Sequence, residues 1–287
     1  MLMKLAQRIA INYYRAAIKS RAFISQRKAA EKAFEIFCSP NKRKTKIAKP
    51  PIFNHAEVLS FELNGILIRG WRWVTIRSNS KKVLIAHGFN SCSYKFERYV
   101  TELRKAGFEV LAFDAPGHGV SEGKLINIVL YKEVILAIEK MFGPLYGIIT
   151  HSLAGLSASL AAESITSLHK LVLISPATET TTAIDHFFKT LDIGNDIKEE
   201  MTKLIEETAK QPVSYFSVNR AIGNISAKTL WLHDKEDRVC PYADIVPCME
   251  KSHPHIEFYI TKGLGHNKIY RNSHSLKKII SFLNDNE

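Results

Sequence analysis

The sequence predicts an α/β protein: a doubly wound, mostly parallel sheet of about eight strands with an antiparallel hairpin in front of it. Three observations carry this. Six short runs (83–86, 110–113, 148–150, 171–174, 230–232 and 256–260) are almost continuously apolar, the mark of strands covered on both faces. Segments of helical length, at 94–106, 126–141, 153–163, 242–250 and 275–284, alternate with them. Ahead of them, 57–63 and 66–74 flank Asn64-Gly65, a dipeptide that closes a two-residue hairpin.

The first segment stands apart. Residues 1–49 hold thirteen Lys and Arg against two acids, Glu31 and Glu35, a net +11 in a chain of +12. Residues 1–37 have the spacing of one or two amphipathic helices. Leu2, Leu5, Ile9, Tyr13, Ala16 and Phe23 follow one stripe, and Lys4, Arg8, Arg15 and Lys19 another. Pro40 and the basic run 41–46 end the segment as an exposed linker, which separates 1–49 from 50–287. Three roles fit it: docking on the rest of the chain, lying on anionic lipid through residues 1–45, or serving as an Arg-rich transit peptide. Phe34 and Phe37 favour packing or lipid contact over removal.

After the hairpin, strand 83–86 runs into His87-Gly88-Phe89. Strand 110–113 runs into Asp114, Pro116, Gly117, His118, Gly119 and Ser121, a turn-forming set. Strand 148–150 ends in an abrupt turn at His151-Ser152, before the small-residue helix 153–163. A serine there stands clear of the sheet, and the helix behind it points N–H groups at whatever it attacks. After strand 171–174 the rhythm breaks. Residues 180–191 and 196–210 read as two helices, followed by Pro212, Tyr215 and Phe216. It resumes with strand 230–232, whose loop carries Asp234 and Asp237, and strand 256–260, whose loop carries Gly263, Gly265 and His266.

Ser152, Asp237 and His266 thus occur in the order serine, acid, histidine, each just after a strand. In this order, in His87-Gly88, in the segment from Asp114 to Ser121, and in the loops around Asp237 and His266, the chain resembles the α/β-hydrolase family from about residue 58 onward. One feature departs from the family's Gly-x-Ser-x-Gly turn: Thr150 and Ala154 stand at the glycine positions. The branched side chain of Thr150 has to find room beside a neighbouring element.

The resemblance implies a serine hydrolase that cleaves carboxylic esters with a small or medium apolar acyl group through an acyl-serine intermediate, with thioesters and amides less expected. Ser152 would be the nucleophile, His266 the base, and Asp237 the group that orients it. The backbone N–H groups of Phe89 and Leu153 would form the oxyanion hole. Residues 176–227 would be a helical lid, with Phe187, Phe188, Tyr215 and Phe216 lining the acyl pocket. His274 and Asp234 compete for the base and acid roles, against Asp237's position two residues before Val239. His87, Asp114 and His118 are expected to organise loops, and His151 to pack the turn. A second reading keeps the fold without the chemistry: a catalytically silent protein that binds a lipid or protein partner through its basic N-terminus. A serine at the turn argues against relatives that use an aspartate nucleophile.

Nothing in the sequence calls for a metal or an organic cofactor. It holds no His-Glu-x-x-His, no Cys-x-x-Cys and no Gly-x-Gly-x-x-Gly. No apolar run reaches the ~18 residues of a membrane span, and charge interrupts the N-terminal stripe too often for a signal peptide. Cys38, Cys92, Cys240 and Cys248 form no framework, which suits a cytoplasmic protein, with peripheral membrane contact as its one variation. The basic segment contains no nucleic-acid module, so nucleic acid is not an expected partner.

Overall fold

A computed structural model describes residues 5–41, 47–75, 81–251 and 253–285. Leu2, Lys4 and the basic run beyond Asn41 lie outside the described residues. The chain divides into two compact units, Pro40–Thr178 with Ser217–Glu287, and Met1–Ser39 with Glu179–Phe216.

The larger unit is built on one eight-stranded sheet. Its strands are β1 (Glu57–Leu63), β2 (Ile66–Trp73), β3 (Lys82–Ala86), β4 (Glu109–Phe113), β5 (Gly147–His151), β6 (Lys170–Ile174), β7 (Lys228–Asp234) and β8 (Ile256–Thr261). They lie in the order β1-β2-β4-β3-β5-β6-β7-β8. β1 with β2 and β2 with β4 are antiparallel, and every other pair is parallel. The predicted hairpin is β1–β2, with Asn64 and Gly65 both at positive φ, as a primed two-residue turn requires.

The continuous apolar runs are explained by two covered faces. Val83, Ile85, Val110, Ala112, Ile149, Val172, Ile174, Leu230 and Leu232 share one core with Tyr99, Val100 and Leu103 of the helix Glu97–Lys105 and with Leu276, Ile279 and Leu283 of the C-terminal helix Ser273–Asn284. The alternating residues Leu84, Leu111, Ile148, Leu171, Leu173 and Trp231 are equally buried and point to the opposite face by the two-residue pleat. The strand order also leaves room for a site. From β3 the chain steps outward to β4, then back across to β5, so β3 and β5 are neighbours at the point where the winding reverses. Crevices that hold ligands form at the carboxyl ends of strands at such a point.

The smaller unit is helical. It consists of Leu5–Ala22, Gln26–Phe37, Thr180–Leu191 and Asn195–Ala209. Ser25 separates the first two helices, its side chain accepting from the Lys28 N–H as an N-cap. Ile18, Ala29, Ala30 and Ala33 share a core with Ile184, Phe188, Leu191, Ile197 and Met201. Three alanines on one face bring Gln26–Phe37 close to its neighbours. Phe187 packs edge-on against Phe37 and Phe188, and Tyr215 against Phe216. Charge joins the two distant segments. Arg27 pairs with Glu200 (3.4 Å) and Glu207 (2.7 Å), and Arg15 donates to the Leu191 carbonyl (2.6 Å).

One reading of the first helix is corrected here. The stripe of Leu5, Ile9 and Tyr13 does not pack: these side chains are 73%, 61% and 68% exposed. Ile11, Ile18 and Ala22, on the opposite side of the helix, face the unit's core instead. The helix carries two apolar stripes, and amphipathic spacing alone does not say which one finds partners.

Candidate active site

Three loops at the carboxyl ends of β5, β7 and β8 bring the sequence candidates together. His266 Nδ1 lies 2.8 Å from Asp237 Oδ2, and His266 Nε2 lies 3.1 Å from Ser152 Oγ. A carboxylate only accepts, so Nδ1 carries the imidazole proton and Nε2 is left to accept from the serine hydroxyl. The Asp237 side chain is fully buried, and its other oxygen accepts from the Val239 and Cys240 N–H groups at 2.8 and 2.9 Å. Burial pushes this carboxyl up, but the hydrogen bond and charge of His266 and the two N–H donors outweigh it and hold the group below the usual carboxylate range. Asp234, the competing acid, is engaged elsewhere. It accepts from the Thr261 hydroxyl and from the Glu236 and Leu264 N–H groups. His274 sits in the first turn of the C-terminal helix, held to the cap residue Asn272.

The serine occupies a strained turn. Ser152 has φ 56° and ψ −122°, a region that L residues rarely occupy and that is held only where the surroundings enforce it. The Ser152 N–H donates to the Ile174 carbonyl at the end of β6, and its own carbonyl accepts from the Gly155 and Ala177 N–H groups. Thr150 fits without the glycine of the family pattern. It is fully buried, and its hydroxyl donates to the Val172 carbonyl on β6 at 2.8 Å, so the branched side chain ties two strands together. Gly155 is where space is short: a Cβ there would stand 2.6 Å from Pro176 Cβ.

The β3 loop closes on this turn. A Cβ at Gly88 would lie 2.9 Å from both Ser152 Cβ and His151 Nδ1, which puts the backbone around Phe89 beside the serine. Two histidines shape the loop. His87 Nε2 accepts from the Ala115 N–H while its Nδ1 faces the Gly88 carbonyl, so Nδ1 carries the proton. His118 Nε2 accepts from the Asn90 N–H while its Nδ1 faces the Pro116 carbonyl. Burial drives both rings down, His87 to about 4 and His118 to about 3, so each stays neutral and keeps an acceptor nitrogen for the loop. Asp114 is fully buried and accepts from the Ser93 and Val120 N–H groups.

Two neighbours of this site were not legible as participants in the sequence. Cys240 donates its N–H to Asp237, and burial and the Asp237 charge push its thiol up. His151 donates from Nε2 to the His266 carbonyl at 3.0 Å. The expected pocket residues Phe187, Phe188, Tyr215 and Phe216 all belong to the helical unit, where Phe188 and Phe216 are buried. Among the described residues no group of three or more His, Cys, Asp or Glu side chains is arranged to hold a metal ion. No helix among them is long and apolar enough to cross a membrane.

Comparison with known proteins agrees with the topology. A family model described as serine aminopeptidase, S33, matches residues 77–211. Among solved structures, the chain is similar to the esterase Pf2001 of Pyrococcus furiosus, with a TM-score of 0.63 and 19% identity over 85% of this chain and 95% of that one. It is also similar to the mouse alpha/beta hydrolase domain-containing protein 10 (TM-score 0.59, 15% identity, 79% and 96% covered). A third likeness is to acetyl xylan esterase 1 from Thermoanaerobacterium sp. JW/SL YS485 (TM-score 0.59, 17% identity, 83% and 86% covered). No curated protein matches the chain by sequence.

Proposed function

We propose that this chain, whose fold is similar to that of solved α/β hydrolases and esterases, is a serine hydrolase that cleaves carboxylic esters through an acyl-serine intermediate. The observation that carries this reading is the unbroken line of contacts from Asp237 through His266 to Ser152. In the proposed reaction His266 Nε2 takes the serine proton as Oγ attacks the ester carbonyl, and the imidazolium is stabilised by Asp237. The N–H groups of Phe89 and Leu153 receive the developing oxyanion; losing one such donor typically costs about 10²–10³ in rate. The tetrahedral adduct collapses, the alcohol leaves with the proton from His266, and water then repeats the sequence to release the acid. Cys240, beside Asp237, does not compete as a nucleophile, because burial keeps it a thiol. We assign the acyl group to the small or medium apolar class.

A fluorophosphonate probe tests this. Wild-type protein is expected to be labelled at Ser152, and Ser152→Ala to remain unlabelled. Folded protein that resists the probe and hydrolyses no ester in a chromogenic acyl-chain series would refute the reading and favour the silent alternative.

A second reading concerns where the protein works. The exposed stripe Leu5, Ile9 and Tyr13, with Phe23 93% exposed at the helix end, lies on the most basic part of the chain. An apolar stripe flanked by Arg8, Lys19 and Arg21 suits an anionic bilayer surface. Deleting the segment would dismantle the helical unit's core, so point changes are the cleaner test. Ile9→Glu with Tyr13→Glu is expected to reduce sedimentation with phosphatidylserine vesicles about tenfold or more. Equal sedimentation of both forms would exclude the surface.

A further inference from the structure

The loop that carries His266 is anchored at two main-chain points. At one end the Leu264 N–H donates to Asp234 Oδ2 at 3.0 Å. At the other the His266 carbonyl accepts from His151 Nε2 at 3.0 Å. His151 is the last residue of β5 and immediately precedes Ser152. One hydrogen bond therefore joins the turn of the candidate nucleophile to the loop of the candidate base, 115 positions away.

The ring has one workable protonation state. A carbonyl can only accept, so Nε2 carries the proton. Nδ1 is then bare and faces the backbone of Gly88, where a Cβ would stand 2.9 Å away. Burial and the neighbouring His266 push His151 down to about 3. The neutral ring lies 4.8 Å from the His266 ring and 4.6 Å from that of Tyr270, centroid to centroid. Tyr270 is itself fixed, its carbonyl accepting from the Tyr99 hydroxyl at 2.7 Å. His151 thus touches three of the four loops that the proposed chemistry requires: its own turn, the Gly88 segment and the His266 segment.

We propose that His151 is a positioning residue, whose Nε2–H fixes the main chain of the His266 loop relative to Ser152. The role rests on the serine-hydrolase reading. The division of labour is clear from the contacts. Asp237 sets the rotation and tautomer of the His266 ring; His151 sets the height at which the backbone presents that ring to the hydroxyl. A 3.1 Å approach between Ser152 Oγ and His266 Nε2 leaves little room for drift, and a displacement near 1 Å between reacting groups costs roughly 10² in rate.

The test compares His151→Gln with His151→Met. The two side chains have nearly the same size, but only glutamine carries an amide N–H at the reach of the imidazole Nε2. The glutamine variant is expected to keep kcat on a chromogenic ester within about threefold. The methionine variant is expected to lose about 30- to 100-fold in kcat with KM within twofold. Fluorophosphonate labelling should slow in parallel. If the methionine variant does not fold, His151→Asn, whose amide is one methylene too short, takes its place with the same expected loss. Equal activity in the Gln and Met (or Asn) variants, high or low, overturns the role, because packing alone would then explain the residue. Wild-type protein that neither labels nor turns over would instead overturn the hydrolase reading on which the role depends.

Discussion

Replacing Asp237 with asparagine perturbs one contact of the site in a way the geometry makes calculable. Asp237 makes three hydrogen bonds. Oδ1 accepts from the Val239 and Cys240 N–H groups, and Oδ2 faces His266 Nδ1 at 2.8 Å. The two N–H donors keep the oxygen of an asparagine where Oδ1 stands, so its NH₂ must point at His266. Two donors cannot face each other at that distance. The imidazole resolves the conflict by moving its proton to Nε2, which then points N–H at Ser152 Oγ and can no longer accept the serine proton. A tautomer swap of this kind lowers kcat by about 10⁴, or ~5.5 kcal/mol of barrier. The backbone should change little, so circular dichroism of Asp237→Asn is expected to match wild type.

Stability adds a second readout. The native carboxyl is held below its usual range, so its contribution is present above the unfolded value of about 3.9 and is lost as pH falls through the lower native value. The variant should therefore be less stable than wild type at pH 7, by about 1–3 kcal/mol, and the difference should vanish in acid. The assay is kcat with a p-nitrophenyl ester, with melting curves at pH 7 and pH 3. A kcat within tenfold of wild type would refute the tautomer mechanism and direct attention to Asp234.

Further outcomes follow from the packing. Gly155→Ala would place a Cβ 2.6 Å from Pro176; chemical denaturation is expected to show a loss of about 1–3 kcal/mol, together with reduced labelling of Ser152. Thr150→Val keeps the branched shape but removes the donor to the Val172 carbonyl, and should cost about 0.5–1.5 kcal/mol by the same measurement. Ala30→Leu, at a fully buried position among the four helices, should destabilise by about 1–3 kcal/mol while leaving ester turnover by the intact chain measurable.

How much of the fold and site was legible in the sequence depends on the range of the interaction that decides each feature. The strands were legible because each is a short apolar run bounded by turn residues. β5 and β6 differ from the expected 148–150 and 171–174 by a single residue at most at each end. The helix expected over 94–106 begins instead as a 3-10 turn at Ser93–Phe96, an end effect that periodicity does not report. Ser152, Asp237 and His266 stood out because each lies in the turn or loop after a strand, and parallel strands put their carboxyl ends side by side. His151 did not stand out, since its partner is a main-chain carbonyl, and a carbonyl leaves no trace in residue identity. The fate of the N-terminal segment was likewise hidden. Arg27 meets Glu200 and Glu207 across more than 170 positions, and the packed stripe of Leu5–Ala22 resembles the exposed one in composition.

The most direct test of the central claim is to catch the covalent step. Wild-type protein mixed with p-nitrophenyl acetate and quenched in acid should yield, on digestion and mass spectrometry, an acetyl group on Ser152, and none there in Ser152→Ala. Acetylation confined to a lysine or another serine, or equal ester turnover by wild type and Ser152→Ala, would contradict it.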